Sequence, residues 1–160
     1  MSKIKIRPAT INDVSLIYSL IKEIAEYEKL TNEVVASEDK VRGTLFGKNK
    51  YAEVIIAEYE GTPAGQALFF HNYSTFLSQP GIYLEDLFVR PKFRGKGIGK
   101  ELLKSLAKIA KERNCGRIEW VVLNWNKSAI DFYESFCSKP MNEWTTYRLS
   151  SDNFDNLLYK

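Results

Sequence analysis

Glycines and cations are interleaved in the segment RPKFRGKGIGKELL, residues 90–103. Gly95, Gly97 and Gly99 permit backbone angles that other residues avoid, and they let a ligand reach main-chain N–H groups. The apolar spacing that follows predicts a helix, whose first N–H groups and dipole attract an anion. The segment therefore predicts a phosphate-binding loop. A flexible turn with solvated lysines is the alternative, because glycine-rich signals are weak when isolated.

Two familiar phosphate-binding patterns do not fit this loop. A Walker loop needs G-x-x-x-x-G-K-[ST], and a dinucleotide fingerprint needs glycine in place of Lys100 or Leu102. A metal site is not expected either. Cys115 and Cys137 do not form a CxxC pair, and His71 is the single histidine. Reduced thiols are the simpler interpretation of the two cysteines.

The totals bound the class of protein. A chain of 160 residues fits one domain, residues 1–160, with 44% apolar and 27% charged residues. The net charge of +3, from 23 cations and 20 anions, argues against a general nucleic-acid binder. No stretch has the length of a signal peptide or a membrane span, so we expect a soluble cytoplasmic protein without membrane partners.

Several elements must position the loop. KIKIR predicts a strand, and Thr10 with Asp13 resembles a capping box before a helix that runs to about Lys29. Ser37 is expected to cap a second helix that ends near Phe46. Three strands are then predicted in YAEVIIAEYE, AGQALFFHNYS and IYLEDLFV.

After the loop, an apolar stripe predicts a helix that Asn114 and Gly116 end. RIEWVVL is the next predicted strand, Asn126 begins a short helix to Phe136, WTTYRLS is a last strand, and a small helix starts near Asp152. Strand, helix and strand across residues 82–123 have the length of a crossover, which makes those strands parallel neighbours. The predicted class is mixed α/β.

The segment VRPKFRGKGIGKELL matches the acetyl-CoA loop of the GNAT acetyltransferases, Arg/Gln-x-x-Gly-x-Gly/Ala. IRPAT, LIKEIAEYEKL, YLEDLFV, RGKGIG and WN..AIDFYE extend the resemblance, in order, to the diamine acetyltransferases of the spermidine/spermine and thialysine types. The resemblance implies a GNAT fold, with a central mixed, mostly antiparallel, twisted sheet that is splayed between its fourth and fifth strands and has helices on both faces. It also implies a homodimer that uses acetyl-CoA.

In that family the glycine loop holds the pyrophosphate, and the splayed strand offers N–H groups to the pantetheine arm. The coenzyme-binding residues implied for this chain are Leu87, Phe88, Val89, Arg94, Gly95, Lys96, Gly97, Ile98, Gly99, Lys100, Asn126, Ser128, Ala129 and Tyr133. The N–H of Leu87 or Val89 is expected to polarise the thioester carbonyl. The alternatives are a fully paired central strand and an Asn126 that only caps its helix.

Acetyl transfer needs a neutral amine, yet about one aliphatic amine in a thousand is neutral at pH 7. The resemblance places Glu85 at the amine, as an attracting charge or a base acting through water, and Tyr133 as the acid for the leaving thiolate. It assigns Tyr27 and Glu28 to the acceptor, and Asp86 either serves a second substrate charge or holds structure. Glu85 and Asp86 are adjacent strand positions, so their side chains are expected on opposite faces.

Two departures from the family pattern bear on the acceptor. Phe136 and Cys137 stand where the family helix ends in glycine, so the loop CSKPM is expected to be rebuilt. Thr145 and Tyr147 replace a glutamate and a tryptophan of the diamine enzymes. The acceptor therefore stays open between a diamine, a polyamine and a lysine-like amine.

The sequence thus predicts an N-acetyltransferase that moves acetyl from acetyl-CoA to a small cationic amine by direct attack in a ternary complex. One alternative keeps the fold but acetylates a lysine or N-terminus of a peptide or protein. Another is a CoA-binding sensor without turnover. RNA binding through the cations of residues 90–100 would bring a steep salt dependence that is not expected.

Overall fold

The structure is a computed structural model that describes residues 3–159. The chain divides into two compact units, Met1–Val121 and Val122–Lys160. Among the described residues, the first unit contains a five-stranded sheet and three α-helices, and the second contains two short α-helices. The predicted mixed α/β class is confirmed.

The sheet keeps the strands in chain order. Its members are β1 (Ile4–Pro8), β2 (Glu53–Tyr59), β3 (Thr62–Ser74), β4 (Gln79–Val89) and β5 (Ile118–Glu119). The first four strands pair antiparallel, and β5 runs parallel to β4. The predicted crossover between the last two strands is therefore confirmed, and the sheet is mixed but mostly antiparallel.

The helices begin close to where their capping residues predict. They are α1 (Val14–Tyr27), α2 (Glu38–Leu45) and α3 (Ile98–Glu112) in the first unit, and α4 (Lys127–Glu134) and α5 (Phe154–Leu158) in the second. The Asp13 carboxylate accepts the Thr10 N–H at 2.7 Å, and Ser37 Oγ accepts the Lys40 N–H at 3.2 Å. Within residues 3–159, none of the helices has the length and apolar character that a bilayer crossing demands.

Helices cover both faces of the sheet, as expected. On one face α3 buries Ile98, Leu102, Leu106 and Ala110 against Ile55, Phe69, Ile82 and Leu84. On the other face α1 and α2 bury Val14, Ile17, Val41 and Leu45 against Val54 and Ile56. The spacing of the apolar residues in each helix matches the stripe that faces the sheet.

Two predicted strands need correction. The strand predicted in RIEWVVL is reduced to Ile118–Glu119, and the one predicted in WTTYRLS does not form within the described part of the chain. Residues 144–150 are all exposed. Aromatic and branched residues favour strands because they fit a half-buried pleated surface, and here they have no neighbouring strand to cover them. Composition alone predicted too much sheet at this end of the chain.

Candidate active site

The glycine loop takes the shape that an anion site requires. Gly95 and Gly97 have φ of 74° and 82°, in the left-handed region, and Gly97 is the residue before the first turn of α3. A Cβ built at either glycine meets no atom within 4 Å, so the backbone is open to a ligand. The N–H groups of the first turn of α3 point toward this opening. The residues present therefore fit a diphosphate.

Two cations of the loop lie over aromatic rings. The Arg94 guanidinium carbon is 4.4 Å from the centre of the Tyr27 ring, and Lys96 Nζ is 5.1 Å from the centre of the Tyr59 ring. A ring attracts a cation without carrying a countercharge. The loop therefore keeps the positive charge that an anionic ligand needs.

Strand β4 is interrupted by a β-bulge beside the loop. Asp86 pairs with Leu68 and Leu84 pairs with Phe69, which leaves Glu85 as an extra residue without a partner in β3. The irregularity lies immediately before Leu87. A bulge shifts every later residue of its strand by one position.

This shift changes the direction of the backbone amides. The Ile82 N–H donates toward β5, to the Arg117 carbonyl at 3.0 Å, whereas the Arg90 N–H donates toward β3, to the Ala64 carbonyl at 2.9 Å. The two residues are an even number of positions apart, so a regular strand would point both groups the same way. Beyond the bulge, the residues that face away from β3 are therefore Leu87 and Val89.

The edge that these two amides face is open. Pairing between β4 and β5 ends at Tyr83 and Glu119, and within residues 3–159 no strand continues along β4 from there. The expected splay between the fourth and fifth strands is confirmed. An amide-bearing arm can pair with such an edge as an added strand does.

The acidic residues beside the bulge influence one another. Burial, followed by the negative charges of Glu85 and Glu28, raises the pKa of Asp86 to about 6. Burial also raises the pKa of Glu28, the residue that ends α1. Glu28 and Asp86 are thus partly desolvated, Glu85 is exposed, and a cationic ligand would relieve the repulsion that Asp86 experiences.

The expectation that Glu85 and Asp86 face opposite sides of the sheet is wrong. That expectation assumed strict alternation, and the bulge breaks it. Leu87 and Val89 pack with the α3 cluster, as Ile82 and Leu84 do before the bulge, while Phe88 packs with α1. Asp86 is two residues before Phe88 and therefore lies on the α1 side, and Glu85, which follows Leu84, lies on that side too.

Tyr27 and Arg94 form a contact that the sequence did not suggest. The Tyr27 ring packs on a cluster of Leu20, Ile24 and Phe88. Arg94 lies above this platform, with its Nε donating to the Val89 carbonyl at 3.0 Å. The sequence had assigned Tyr27 to the acceptor and Arg94 to the donor. Residues so far apart in the chain give no spacing signal, so only the fold reveals the contact.

The remaining predicted residues lie in the second unit, on α4. Asn126 Oδ1 accepts the Ala129 N–H at 3.3 Å, so Asn126 does cap the helix. Ala129 and Tyr133 are one turn apart and both partly buried, whereas Ser128 is exposed. Ala129 and Tyr133 therefore share one face of the helix.

Phe132 packs against two aromatic neighbours within this unit. Its ring lies 5.4 Å from the Tyr133 ring and 5.0 Å from the Phe136 ring, edge-on to the latter. The chain then turns at Cys137, which has φ of 62°. Cys137 thus adopts the left-handed angle itself, without the glycine that favours it.

The first unit also contains a cleft of about 600 Å³ that the sequence did not indicate. It is lined by Pro8, Ala9, Thr10, Leu45, Phe46, Lys50, Tyr51, Ala52, Glu53, Val54, Phe70, His71 and Arg113. None of the predicted site residues belongs to it.

A mixed sheet with an open edge at its bulged fourth strand, next to a glycine loop and a helix start, defines an acetyltransferase fold. The chain belongs to the acetyltransferase (GNAT) family, whose model matches residues 16–138. It is therefore an acetyltransferase, and acetyl-CoA is the donor that this family uses in general.

Relatives of full length support this assignment. The chain is 34% identical to the thialysine N-epsilon-acetyltransferase of Sus scrofa, over 100% of both proteins. It is 33% identical to the L-ornithine N5-acetyltransferase of Arabidopsis thaliana, over 92% of this chain and 85% of the relative. Among solved structures, an integron cassette protein from the V. cholerae mobile metagenome is similar over 100% of both chains, with a TM-score of 0.82 and 27% identity.

Proposed function

We propose that this protein transfers the acetyl group of acetyl-CoA to a primary amine of a small cationic molecule, by direct attack in a ternary complex. The observation that carries the proposal is the group of three carboxylates, Glu28, Glu85 and Asp86, next to the bulge and the loop. The negative charges of Glu85 and Glu28 act on the partly buried Asp86, which favours a cationic ligand over a neutral one. Diamines, polyamines and lysine-like amines all satisfy this requirement.

On the donor side, the backbone from Arg94 to Lys100 holds the diphosphate of the coenzyme. The open geometry at Gly95 and Gly97 supports this role. The Leu87 and Val89 amides pair with the amides of the pantetheine arm, and one of them donates to the thioester carbonyl oxygen. Phe88 contributes from the same strand, and Asn126, Ser128 and Ala129 contribute further coenzyme contacts.

Acetyl-CoA supplies the thioester whose carbonyl carbon is attacked. Glu85 accepts the proton of the ammonium, directly or through water, so that the amine nitrogen becomes a nucleophile. The C–N bond forms, the C–S bond breaks, and the N–H donor on β4 stabilises the negative oxygen between these events. Tyr133 gives its proton to the departing sulfur, and the second proton that the nitrogen loses on becoming an amide returns to the Tyr133 oxygen. The products are an N-acetyl amine and CoA.

On the acceptor side, Tyr27 and Glu28 bind the cationic chain, the ring through a cation–π contact and the carboxylate through its charge. Asp86 attracts a second positive charge where the acceptor has one. Two full-length relatives carry names that specify amino acids with a side-chain amine, thialysine and L-ornithine. These compounds are accordingly the first acceptors to test.

The test is release of free thiol from acetyl-CoA by the purified protein. The acceptors are L-thialysine, L-ornithine, L-lysine, spermidine and a lysine-containing peptide. We expect turnover with at least one of the small amines. Thiol release with the peptide alone would favour the protein-acetylating alternative, and no release above buffer hydrolysis with any acceptor would contradict the proposal.

Two variants separate catalysis from coenzyme binding. Tyr133→Phe should lower kcat with little change in CoA affinity, because it removes only the proton donor. Tyr73→Phe is the matched control, since Tyr73 is 60% exposed and has no proposed role. A CoA-binding sensor would bind coenzyme but show no turnover to lose.

We also propose that the protein is a homodimer, as its family resemblance implies. No residue of 122–159 is buried, and this segment exposes large apolar side chains. They are Trp125, Phe136, Met141, Trp144, Tyr147, Leu149, Phe154, Leu157, Leu158 and Tyr159. A second subunit is one way to cover them. Light scattering after size-exclusion chromatography should give twice the mass of one chain, and a monomer would contradict this proposal.

A further inference from the structure

Arg94 contacts both halves of the proposed site at once. Its Nε donates to the Val89 carbonyl at 3.0 Å, and its guanidinium carbon lies 4.4 Å from the centre of the Tyr27 ring. The same guanidinium carbon is 5.9 Å from the centre of the Phe88 ring below. One cation of the loop thus joins the donor strand to the acceptor residue.

The carbonyl that Arg94 occupies belongs to the open edge of β4. In an antiparallel strand the N–H and C=O of one residue point the same way, so the Val89 carbonyl faces the edge as its N–H does. A pantetheine amide that pairs with this edge needs that carbonyl as an acceptor. Arg94 therefore occupies a hydrogen-bond acceptor that the pantetheine arm of the coenzyme needs.

The ring that Arg94 covers is the one proposed for the acceptor. Tyr27 packs against Leu20, Ile24 and Phe88, so the buried side of the residue is held by the core. A guanidinium over the ring makes the same cation–π contact that an acceptor ammonium would make. An amine that binds before the coenzyme must therefore compete with Arg94.

We propose that Arg94 is a placeholder that couples the two substrates: coenzyme binding withdraws it, which frees the Val89 carbonyl for pantetheine and the Tyr27 ring for the amine. This inference rests on the proposed function. The direction follows from the strength of the contacts, because a guanidinium binds a phosphate through charge-assisted, paired hydrogen bonds. Those bonds are stronger than the one hydrogen bond to a neutral carbonyl and the two ring contacts that Arg94 gives up. Arg94 is exposed, so it moves without disturbing the core.

The proposal predicts cooperative binding. The Kd of L-thialysine, measured by calorimetry, should fall by about 5-fold or more when CoA is present at saturation, in the usual range of coupling between two sites. Pantetheine, which lacks the diphosphate, should not produce this change. CoA has no acetyl group, so no turnover disturbs the measurement.

Arg94→Ala supplies the decisive comparison. Without the side chain, L-thialysine should bind the free protein with nearly the affinity it has in the wild-type CoA complex, and the coupling factor should approach 1. Lys92→Ala removes one positive charge from the same segment, but its Nζ lies over the Phe93 ring and not over Tyr27. This control should keep the wild-type coupling factor.

The outcomes separate this inference from the proposed function. If the wild-type protein releases thiol but binds the amine equally with and without CoA, the placeholder is wrong and the acetyltransferase proposal stands. A weaker affinity of Arg94→Ala for L-thialysine in the absence of CoA, or undiminished coupling in that variant, would also overturn it. If neither thiol release nor CoA binding occurs, both proposals fail.

Discussion

Arg90 and Glu23 join the end of β4 to α1 through three hydrogen bonds between their side chains, at 2.7, 2.9 and 3.2 Å. The Arg90 Nη1 also donates to the Pro63 carbonyl at 3.0 Å. These bonds hold the pKa of Glu23 below its usual value. The first cation of the glycine segment is therefore structural, and it fixes the base of the loop to the helix that carries Tyr27.

Replacing Arg90 with Gln should lower the free energy of unfolding by about 2 kcal/mol, because it leaves the partly buried Glu23 carboxylate without its charged donor. Urea denaturation measures this. Arg113→Gln is the control, since the Arg113–Glu53 pair is more exposed and should contribute less than about 1 kcal/mol. Equal losses in the two variants would contradict a structural role specific to Arg90.

Asp86→Asn should stabilise the protein at neutral pH. Burial, together with the negative charges of Glu85 and Glu28, raises the pKa of Asp86 from 3.8 to about 6, so the folded state holds the proton more tightly than the unfolded chain does. The stability of the wild type therefore falls as the pH rises from about 4 to about 6, and Asn carries no such charge. The gain at pH 7.5 should reach up to about 3 kcal/mol.

At pH 3.5 most of this difference should disappear, because Asp86 is then largely protonated. Urea denaturation at both pH values measures the effect. The exposed Asp152→Asn is the control and should show little difference at either pH. An Asp86→Asn variant that is less stable than the wild type at pH 7.5 would show that the ionised Asp86 carboxylate does not destabilise the folded state.

Gly97→Ala should destabilise the protein by about 1–2 kcal/mol. There is space for the methyl group, but φ of 82° is costly for a residue with a Cβ. The same change at Gly43 should have the opposite sign, because Gly43 lies inside α2 with open space around it. Alanine there should add about 0.5–1 kcal/mol. Thermal denaturation of the two variants shows whether each substitution stabilises or destabilises the protein. Destabilisation by both substitutions would refute this account.

Cys137→Gly should stabilise the turn after α4 by about 1 kcal/mol, since Cys137 holds φ of 62° at the price of steric strain. Cys137→Ala removes the thiol but keeps the Cβ, so it should leave stability nearly unchanged. Denaturation followed by tryptophan fluorescence reports on this unit through Trp125 and Trp144. A gain in the alanine variant as large as in the glycine variant would point to the thiol and not to the backbone.

Much of the fold could be predicted from local patterns. The apolar stripe from Ile98 to Ala110 fixed α3, and the capping residues Thr10 and Ser37 marked helix starts that the structure contains. These features depend on residues within a few positions of one another. The parallel placement of β5 followed from the crossover length alone.

The errors arose where a feature depends on distant partners. The strand predicted over residues 144–150 needed a neighbour, and the alternation assumed for Glu85 and Asp86 ignored the pairing of β4 with β3. Nothing in the sequence around Glu85 marks the extra residue. The contact of Arg94 with Tyr27 likewise arises only when α1 and the loop are brought together by the sheet.

The extra residue in β4, Glu85, reverses the direction of the amides and side chains in the rest of the strand. Removing Glu85 would restore uniform alternation along β4, so the amides of Leu87 and Val89 would point toward β3. The Phe88 side chain would then face α3 instead of α1. The hairpin would survive such a one-residue deletion, but its chemistry-bearing edge would be inverted. An insertion or deletion of one residue in this strand would reverse which amides face the open edge, whereas a change of two residues would not. Homologous strands should therefore tolerate changes of two residues more readily than changes of one.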